Sequence, residues 1–317
     1  MSVEVLSWNV ADAFSNTERM PGVVSKVIRE QPGIGIFSEA YDDTSPNINT
    51  LHTAIERFQR EGYSVFHGSY EDRDKRPDSH GILAIYRVAA KASLVSFVLR
   101  NAIKLELNSE EMEGVPTTLW GFHGDDRNEL GRQIQYQAFG AYLGEKTDLD
   151  LCEAIGAYLG EKTDLEIDEV LDSYLAETTD LEIDPNKAHV LGGDGNSMHG
   201  SDRRAKLLRA VYPLPNALPN IDPVSHDGKV GIIKRAISFS QRATRMADGG
   251  TVAYLENKLR FQDADPNHLP TAPTRYPVMQ IDRIMTRGPI ASKEHEVHEA
   301  HPGSDHRAVS TLVYGTA

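Results

Sequence analysis

The chain has 317 residues, 39% of them hydrophobic, a formal net charge of -14 and a single cysteine. This is enough apolar mass for a substantial core, which excludes whole-chain disorder, and the lone Cys152 excludes an internal disulfide framework or a cysteine-built zinc site. No stretch approaches the roughly 18 uninterrupted apolar residues of a membrane helix, and MSVEVLSWNV lacks the basic start and long apolar run of a secretory signal, so a soluble cytoplasmic protein is expected.

From the N-terminus, short apolar runs alternate with amphipathic ones. VEVLSW (3–8) reads as a strand, a helix is expected near 19–30, and GIGIFS (33–38) reads as a buried strand. A helix near 47–61 precedes the strand candidates YSVFHG, GILAIYR, KASLVSFVL and TTLWGFHG. A polar helix, NELGRQIQYQAFGAYL, starts near 128.

Residues 140–187 are three copies of a 16-residue unit, GAYLGEKTDLDLCEAI, GAYLGEKTDLEIDEVL and DSYLAETTDLEIDPNK, and this block carries -11 of the -14. The remainder is close to neutral, so the overall acidity does not exclude a polyanionic partner for it. Each unit places an acid three residues after Thr147, Thr163 or Thr179, close to the capping box that satisfies free amides at a helix start. Short acidic helices joined by GEKT-type turns are expected, closed by Pro185, with Cys152 as a small apolar filler. The block is either an expanded surface element or a platform for a protein partner.

Beyond it come the strand AHVLGGDG (188–195), a mostly helical region over about 204–260, the proline-rich loop DPNHLPTAPTRYP, and the strands VMQIDRIMT and RAVSTLVYG. HEVHEAH (295–301) reads as a solvated polar loop rather than a zinc cluster. Strands apolar on successive residues and flanked by helices imply sheets covered on their outer faces. Two packed sheets between helical layers account for the whole chain, 1–317, as one domain with 140–187 inserted.

Several strands end on a polar residue: Asn9, Glu39, His123, and Asp194 with Asn196 in GGDGN; Asp282 and the pair Asp305 and His306 follow late in the chain. Each alone is an ordinary turn residue. In this order, SWNV, FSEA, FHGDDRNELGRQIQ with its Arg132 and Gln135, GGDGN, IDRI and GSDH resemble the endonuclease/exonuclease/phosphatase superfamily of metal-dependent phosphoesterases.

The resemblance implies an α/β fold, a four-layer α/β/β/α sandwich of two packed mixed sheets with the active site at one edge. It implies Glu39 as the main metal-binding carboxylate, with Asn9 and Asp305 beside the metal or its waters. Asp194 would orient or deprotonate the attacking water, and Asn196 would hold that water or the phosphate. His306, steadied by Asp282, would hydrogen-bond a phosphate oxygen, and His123 would contact the same phosphate. The implied cofactor is Mg²⁺ or Mn²⁺; the implied partner is nucleic acid or another phosphodiester, with no membrane. The acidic repeat is expected to project away from this edge.

The chemistry of the residue types agrees with these roles. A phosphodiester is anionic, so its hydrolysis needs charge neutralisation and a positioned nucleophile; Mg²⁺ prefers oxygen and needs only one or two carboxylates. Gly195 stands where the superfamily usually carries an aromatic or aliphatic residue, and Ala11 where some members have an acid. Tyr86 reads as core, while EDRDKRPDSHG and the set Lys234, Arg235, Arg242 and Arg245 could meet a phosphate backbone. GGDGNSMHG lacks the lysine and spacing of a nucleotide P-loop. The alternatives are a phosphatase or phosphodiesterase for a small molecule or lipid headgroup, and a non-catalytic binding protein.

Overall fold

The apolar runs pair into two six-stranded sheets. The structure is a computed structural model describing residues 2–11, 13–40, 50–68, 81–96, 101–124, 129–144, 183–195, 250–272 and 280–316. In chain order the elements are β1 (Ser2–Asn9), α1 (Met20–Glu30), β2 (Ile34–Ser38), α2 (Thr50–Arg60), β3 (Ser64–Gly68), β4 (Ile82–Tyr86), β5 (Ala90–Ser96), β6 (Asn101–Leu107), β7 (Thr117–His123), α3 (Glu129–Leu143), β8 (Ala188–Asp194), α4 (Gly250–Asn257), β9 (Gln262–Asp263), β10 (Asp282–Arg287), β11 (Ile290–Val297) and β12 (Val309–Gly315). One sheet has the order β11-β12-β1-β2-β4-β3 and the other β5-β6-β7-β8-β10-β9. Each holds a single parallel pair, β1 with β2 and β7 with β8, among antiparallel neighbours.

Side chains alternate along each strand, and here both sets are buried. Val3, Val5, Ile34, Ile36, Leu119, Val190 and Ile284 fill the space between the sheets. The alternate residues Leu6, Trp8 and Phe37 meet Val23, Val24 and Val27 of α1 and Phe58 of α2 on one outer face. Trp120, Phe122, Leu191 and Met285 meet Tyr136 and Phe139 of α3 and Leu255 of α4 on the other. The four layers follow from this double burial, as the runs of successive apolar residues predict. Tyr86 packs against the inter-sheet cluster, as expected.

Two strands differ from expectation. NAIKLEL forms β6, and Ile290–Val297 forms β11, so the start of HEVHEAH is a strand and not a loop. β11 is the outermost strand of its sheet and much of it is exposed; it is held by main-chain pairing to β12, which asks little apolarity of its side chains. His298, just beyond it, is buried with Nε2 at 2.9 Å from Ser310 Oγ. Among the described residues these histidines form no metal-ligating group. Residues 145–182 and 196–249 lie outside the described residues, and with them nearly all of the acidic repeat, Asn196, the Lys234–Arg245 set and most of the helical region expected over 204–260.

β8 carries a buried imidazole that titrates far from its usual range. His189 is 3% exposed, and Trp120 Nε1 donates to its Nδ1 at 3.4 Å. Burial pushes its pKa down to about 3, and Arg287, Lys187 and Lys104 add to the effect. The folded value lies below the unfolded one, so the unfolded chain takes up the proton first and stability falls as pH drops below about 6.5. We expect this group alone to remove about 2 kcal/mol between pH 7 and pH 5, read as a shift in urea midpoint, and His189→Gln to flatten that slope.

Candidate active site

The strand ladders bring the polar ends together. Asn9, last in β1, pairs with Ser38, last in β2, so Glu39 leaves the sheet beside it. In the second sheet His123 of β7 pairs with Asp194 of β8, and Asp194 pairs with Asp282 of β10. His306 precedes β12, the antiparallel neighbour of β1. Glu39 has a φ of +55°. This left-handed conformation is uncommon for a residue with a Cβ, and such strain persists where the surroundings fix it.

Asn9 joins the two sheets. Its amide nitrogen donates to Glu39 Oε1 at 2.9 Å and to Asp194 Oδ2 at 2.9 Å, while its Oδ1 accepts from the Ala11 amide at 2.8 Å. Both carboxylates are thereby aimed by one side chain that is itself 1% exposed. His123 Nε2 stands 3.8 Å from Glu39 Oε1 and 3.8 Å from Asp194 Oδ2. On the other side of Asp194, His306 Nδ1 lies 3.9 Å from Oδ2 of that residue and forms a 2.8 Å hydrogen bond with Asp282 Oδ2. Glu39, His123 and Asp194 form one group with metal-ligating atoms mutually within 4.8 Å, and Asp194, Asp282 and His306 form a second.

Burial alone would lower the His306 pKa, but the charge of Asp282, its hydrogen bond, and the charges of Asp194 and Asp305 outweigh it and raise the value to about 10. The ring is an imidazolium at neutral pH. With Nδ1 committed to Asp282, Nε2–H remains as the outward donor.

Several supports were not visible in the sequence. Ser304 Oγ donates to the Asn9 carbonyl at 2.6 Å and accepts from the His306 amide at 2.9 Å, and Trp8 Nε1 donates to the His306 carbonyl at 3.0 Å. These bonds tie the last loop to the first strand. Thr271 Oγ1 accepts from the Asp282 amide at 3.2 Å, and its carbonyl accepts from Arg307 at 2.8 Å. Gln135 Nε2 donates to the His123 carbonyl at 3.0 Å, which places half of the Arg-x-x-Gln pair, and Arg132 is fully buried beside it on α3. Gly193 is fixed by close approach, since a Cβ there would lie 1.7 Å from the Phe122 carbonyl oxygen. Gly193 thus lets β8 lie against β7 where His123 and Asp194 meet.

Of the expected site residues, Asn9, Glu39, His123, Asp194, Asp282 and His306 converge. Asp305 stands at the rim, its side chain 67% exposed and Oδ1 3.8 Å from His306 Nε2. The departure at Gly195 is accommodated locally: a Cβ there would meet Tyr136 Oη at 3.2 Å and the Ile281 carbonyl at 3.4 Å, so the space of the missing side chain is already filled.

No family model and no curated protein sequence matches the chain. Solved structures do. The endonuclease/exonuclease/phosphatase protein of Beutenbergia cavernae superposes with a TM-score of 0.55 at 12% identity, over 99% of this chain and 72% of that one. Truncated Caenorhabditis elegans TDP2 gives 0.50 at 15% identity, over 99% and 98% of the two chains. TDP2 of D. rerio, humanized by 14 mutations, gives 0.51 at 13% identity, over 98% of each. The chain has the endonuclease/exonuclease/phosphatase fold. In this instance of the fold, the converging side chains sit where the C-terminal ends of the two parallel pairs meet.

Proposed function

We propose that the chain is a divalent-metal-dependent phosphodiester hydrolase acting on nucleic acid. The observation that carries this is the single Asn9 amide aiming Glu39 and Asp194 together, with an Asp282–His306 pair on the far side of Asp194. The donor set fits a hard cation: Asp194 shares one group with Glu39 and His123 and a second with Asp282 and His306, so carboxylate oxygens crowd on both sides of it, a concentration of negative charge that a divalent ion would balance.

Glu39 would hold the ion, with Asn9 and Asp305 beside it or its waters. Bound there, Mg²⁺ or Mn²⁺ supplies charge neutralisation to the phosphoryl and leaving oxygens. Asp194, 2% exposed and fixed by Asn9, orients a water and accepts its proton. Asn196 holds that water or the phosphate. His306 donates from Nε2 to a phosphoryl oxygen, and Asp282 keeps the ring charged and oriented. His123 contacts the same phosphate from the Glu39 side. Nearly all the net negative charge lies in the 140–187 block, which leaves the rest of the surface compatible with a polyanion.

Turnover of single-stranded DNA, double-stranded DNA, RNA and bis(p-nitrophenyl) phosphate, each with and without Mg²⁺, tests this. Mg²⁺-dependent cleavage of a nucleic acid is the expected result. Cleavage of the simple ester alone would move the substrate to a small molecule, and complete inertness would remove the hydrolase assignment.

A further inference from the structure

A cavity of about 480 Å³ opens next to the catalytic edge, with Ala11, Arg19, Ala300, His301 and Asp305 in its wall. It therefore touches Asp305 and the residue two beyond Asn9, while Arg19 and His301 of its wall have no part in the catalytic scheme. The wall carries a cation, Arg19, that pairs with no carboxylate among the described residues; Asp305 shares the wall but lies beyond ion-pair distance. Arg19 donates from Nε to the Gly303 carbonyl at 3.0 Å and from Nη2 to the Val10 carbonyl at 3.2 Å and to the Ala11 carbonyl. These acceptors are neutral, and no carboxylate among the described residues stands within ion-pair distance of it. The guanidinium is locked in place by backbone, its charge is unspent, and Nη1 has no hydrogen-bond partner among the described residues.

His301 adds a second donor. Its Nδ1 accepts from the Gly303 amide at 3.0 Å, and the ring packs edge-on to Trp8 at 5.6 Å. Burial lowers its pKa, and Lys26 and Arg29 lower it further; with Nδ1 accepting from Gly303, Nε2 is the ring position left to donate. A preorganised guanidinium sharing a cavity wall with an imidazole suits the oxygens of a phosphate.

We propose that this cavity is a subsite for a second phosphate group of the substrate, one link removed from the scissile phosphodiester and held by Arg19 with His301. The assignment rests on the phosphodiester hydrolase function proposed above. The second phosphate could be a flanking diester of a polynucleotide or a terminal monoester of a small molecule, and both share the chemistry that Arg19 recognises.

Two variants separate recognition from folding. Arg19→Lys keeps the charge but not the fork; Ala300→Trp fills the cavity from an exposed wall residue and leaves the three Arg19 bonds intact. In the kinetic arm, KM is compared for bis(p-nitrophenyl) phosphate, which has no second anion, for a dinucleotide bearing a terminal phosphate monoester, and for a trinucleotide with a second diester. Ala300→Trp should raise KM about tenfold for the substrates with a second phosphate, the effect of losing one charge-assisted hydrogen bond, with kcat and the simple ester unchanged. A rise for the trinucleotide alone identifies a polynucleotide backbone, and a rise for the monoester alone identifies a terminal phosphate. Equal KM changes for all three esters, or none, overturn the subsite while leaving the hydrolase assignment standing. In the binding arm, phosphorus NMR of metal-free protein titrated with inorganic phosphate should show saturable binding that weakens in both variants. This arm decides the subsite even if no ester is turned over, and binding that is absent or indifferent to Ala300→Trp contradicts it.

Discussion

Replacing Asp194 by asparagine is expected to lower kcat for phosphodiester hydrolysis by at least about 100-fold, the loss that follows removal of a preorganised group acting on the transition state. The substitution is isosteric, so it isolates charge and basicity. Asp194 Oδ2 lies 2.9 Å from Asn9 Nδ2, 3.8 Å from His123 Nε2 and 3.9 Å from His306 Nδ1. It is 2% exposed, and it shares the Asn9 amide with a second carboxylate, Glu39. An asparagine cannot accept the proton of an attacking water. It also relieves the crowding of like charge in the metal-free protein, where Asp194 neighbours Glu39 on one side and Asp282 on the other. Stability should therefore hold or rise as activity collapses, a combination seen where a site is built for function at the expense of the fold. Melting temperature and kcat measured on the same preparation check this. A parallel loss of both would mean that Asp194 serves mainly to hold the two sheets together.

His306→Ala should cost at least about 100-fold in rate, by removing the charged donor that the proposed scheme directs at the phosphate. Its electrostatics give a second, independent readout. Asp282, Asp194 and Asp305 outweigh burial and raise the folded pKa to about 10. A folded value above the unfolded one means that the imidazolium contributes its full stability below about pH 6.5 and loses it progressively as pH climbs toward 10. His306 should therefore remain protonated at pH 8 by NMR in the metal-free protein. Asp282→Asn, which deletes the 2.8 Å partner, should bring its titration down toward the usual histidine range. An imidazole that titrates near pH 6.5 in the unaltered protein would contradict the pairing.

The layers of the fold were legible because apolar residues recur on successive strand positions, and only sheets covered on both faces require that. Val5 and Leu6, or Ile36 and Phe37, point to opposite cores, and each pair is buried. β11 escaped because an edge strand needs hydrogen bonds more than apolar side chains, so IASKEHEV carries a loop's composition.

The candidate site was legible as residue types at strand ends, but its geometry was not. Nothing in SWNV shows that the Asn9 amide bridges carboxylates from both sheets, since the two bonds span 30 and 185 residues. The roles of Ser304 and Thr271 were equally hidden, because a hydroxyl that accepts a backbone amide looks like any loop serine or threonine until the loop is placed. The left-handed backbone of Glu39 carried no sequence signal either, since glycine or asparagine is the usual marker of that conformation.

Mg²⁺-dependent hydrolysis of bis(p-nitrophenyl) phosphate by the unaltered protein and by Glu39→Ala, assayed together, bears most directly on the central claim that converging strand ends form a metal-dependent phosphoesterase site. The account predicts turnover that vanishes on chelation and falls at least about 100-fold in the variant. Equal rates in the two proteins, or a rate indifferent to the metal, would contradict it.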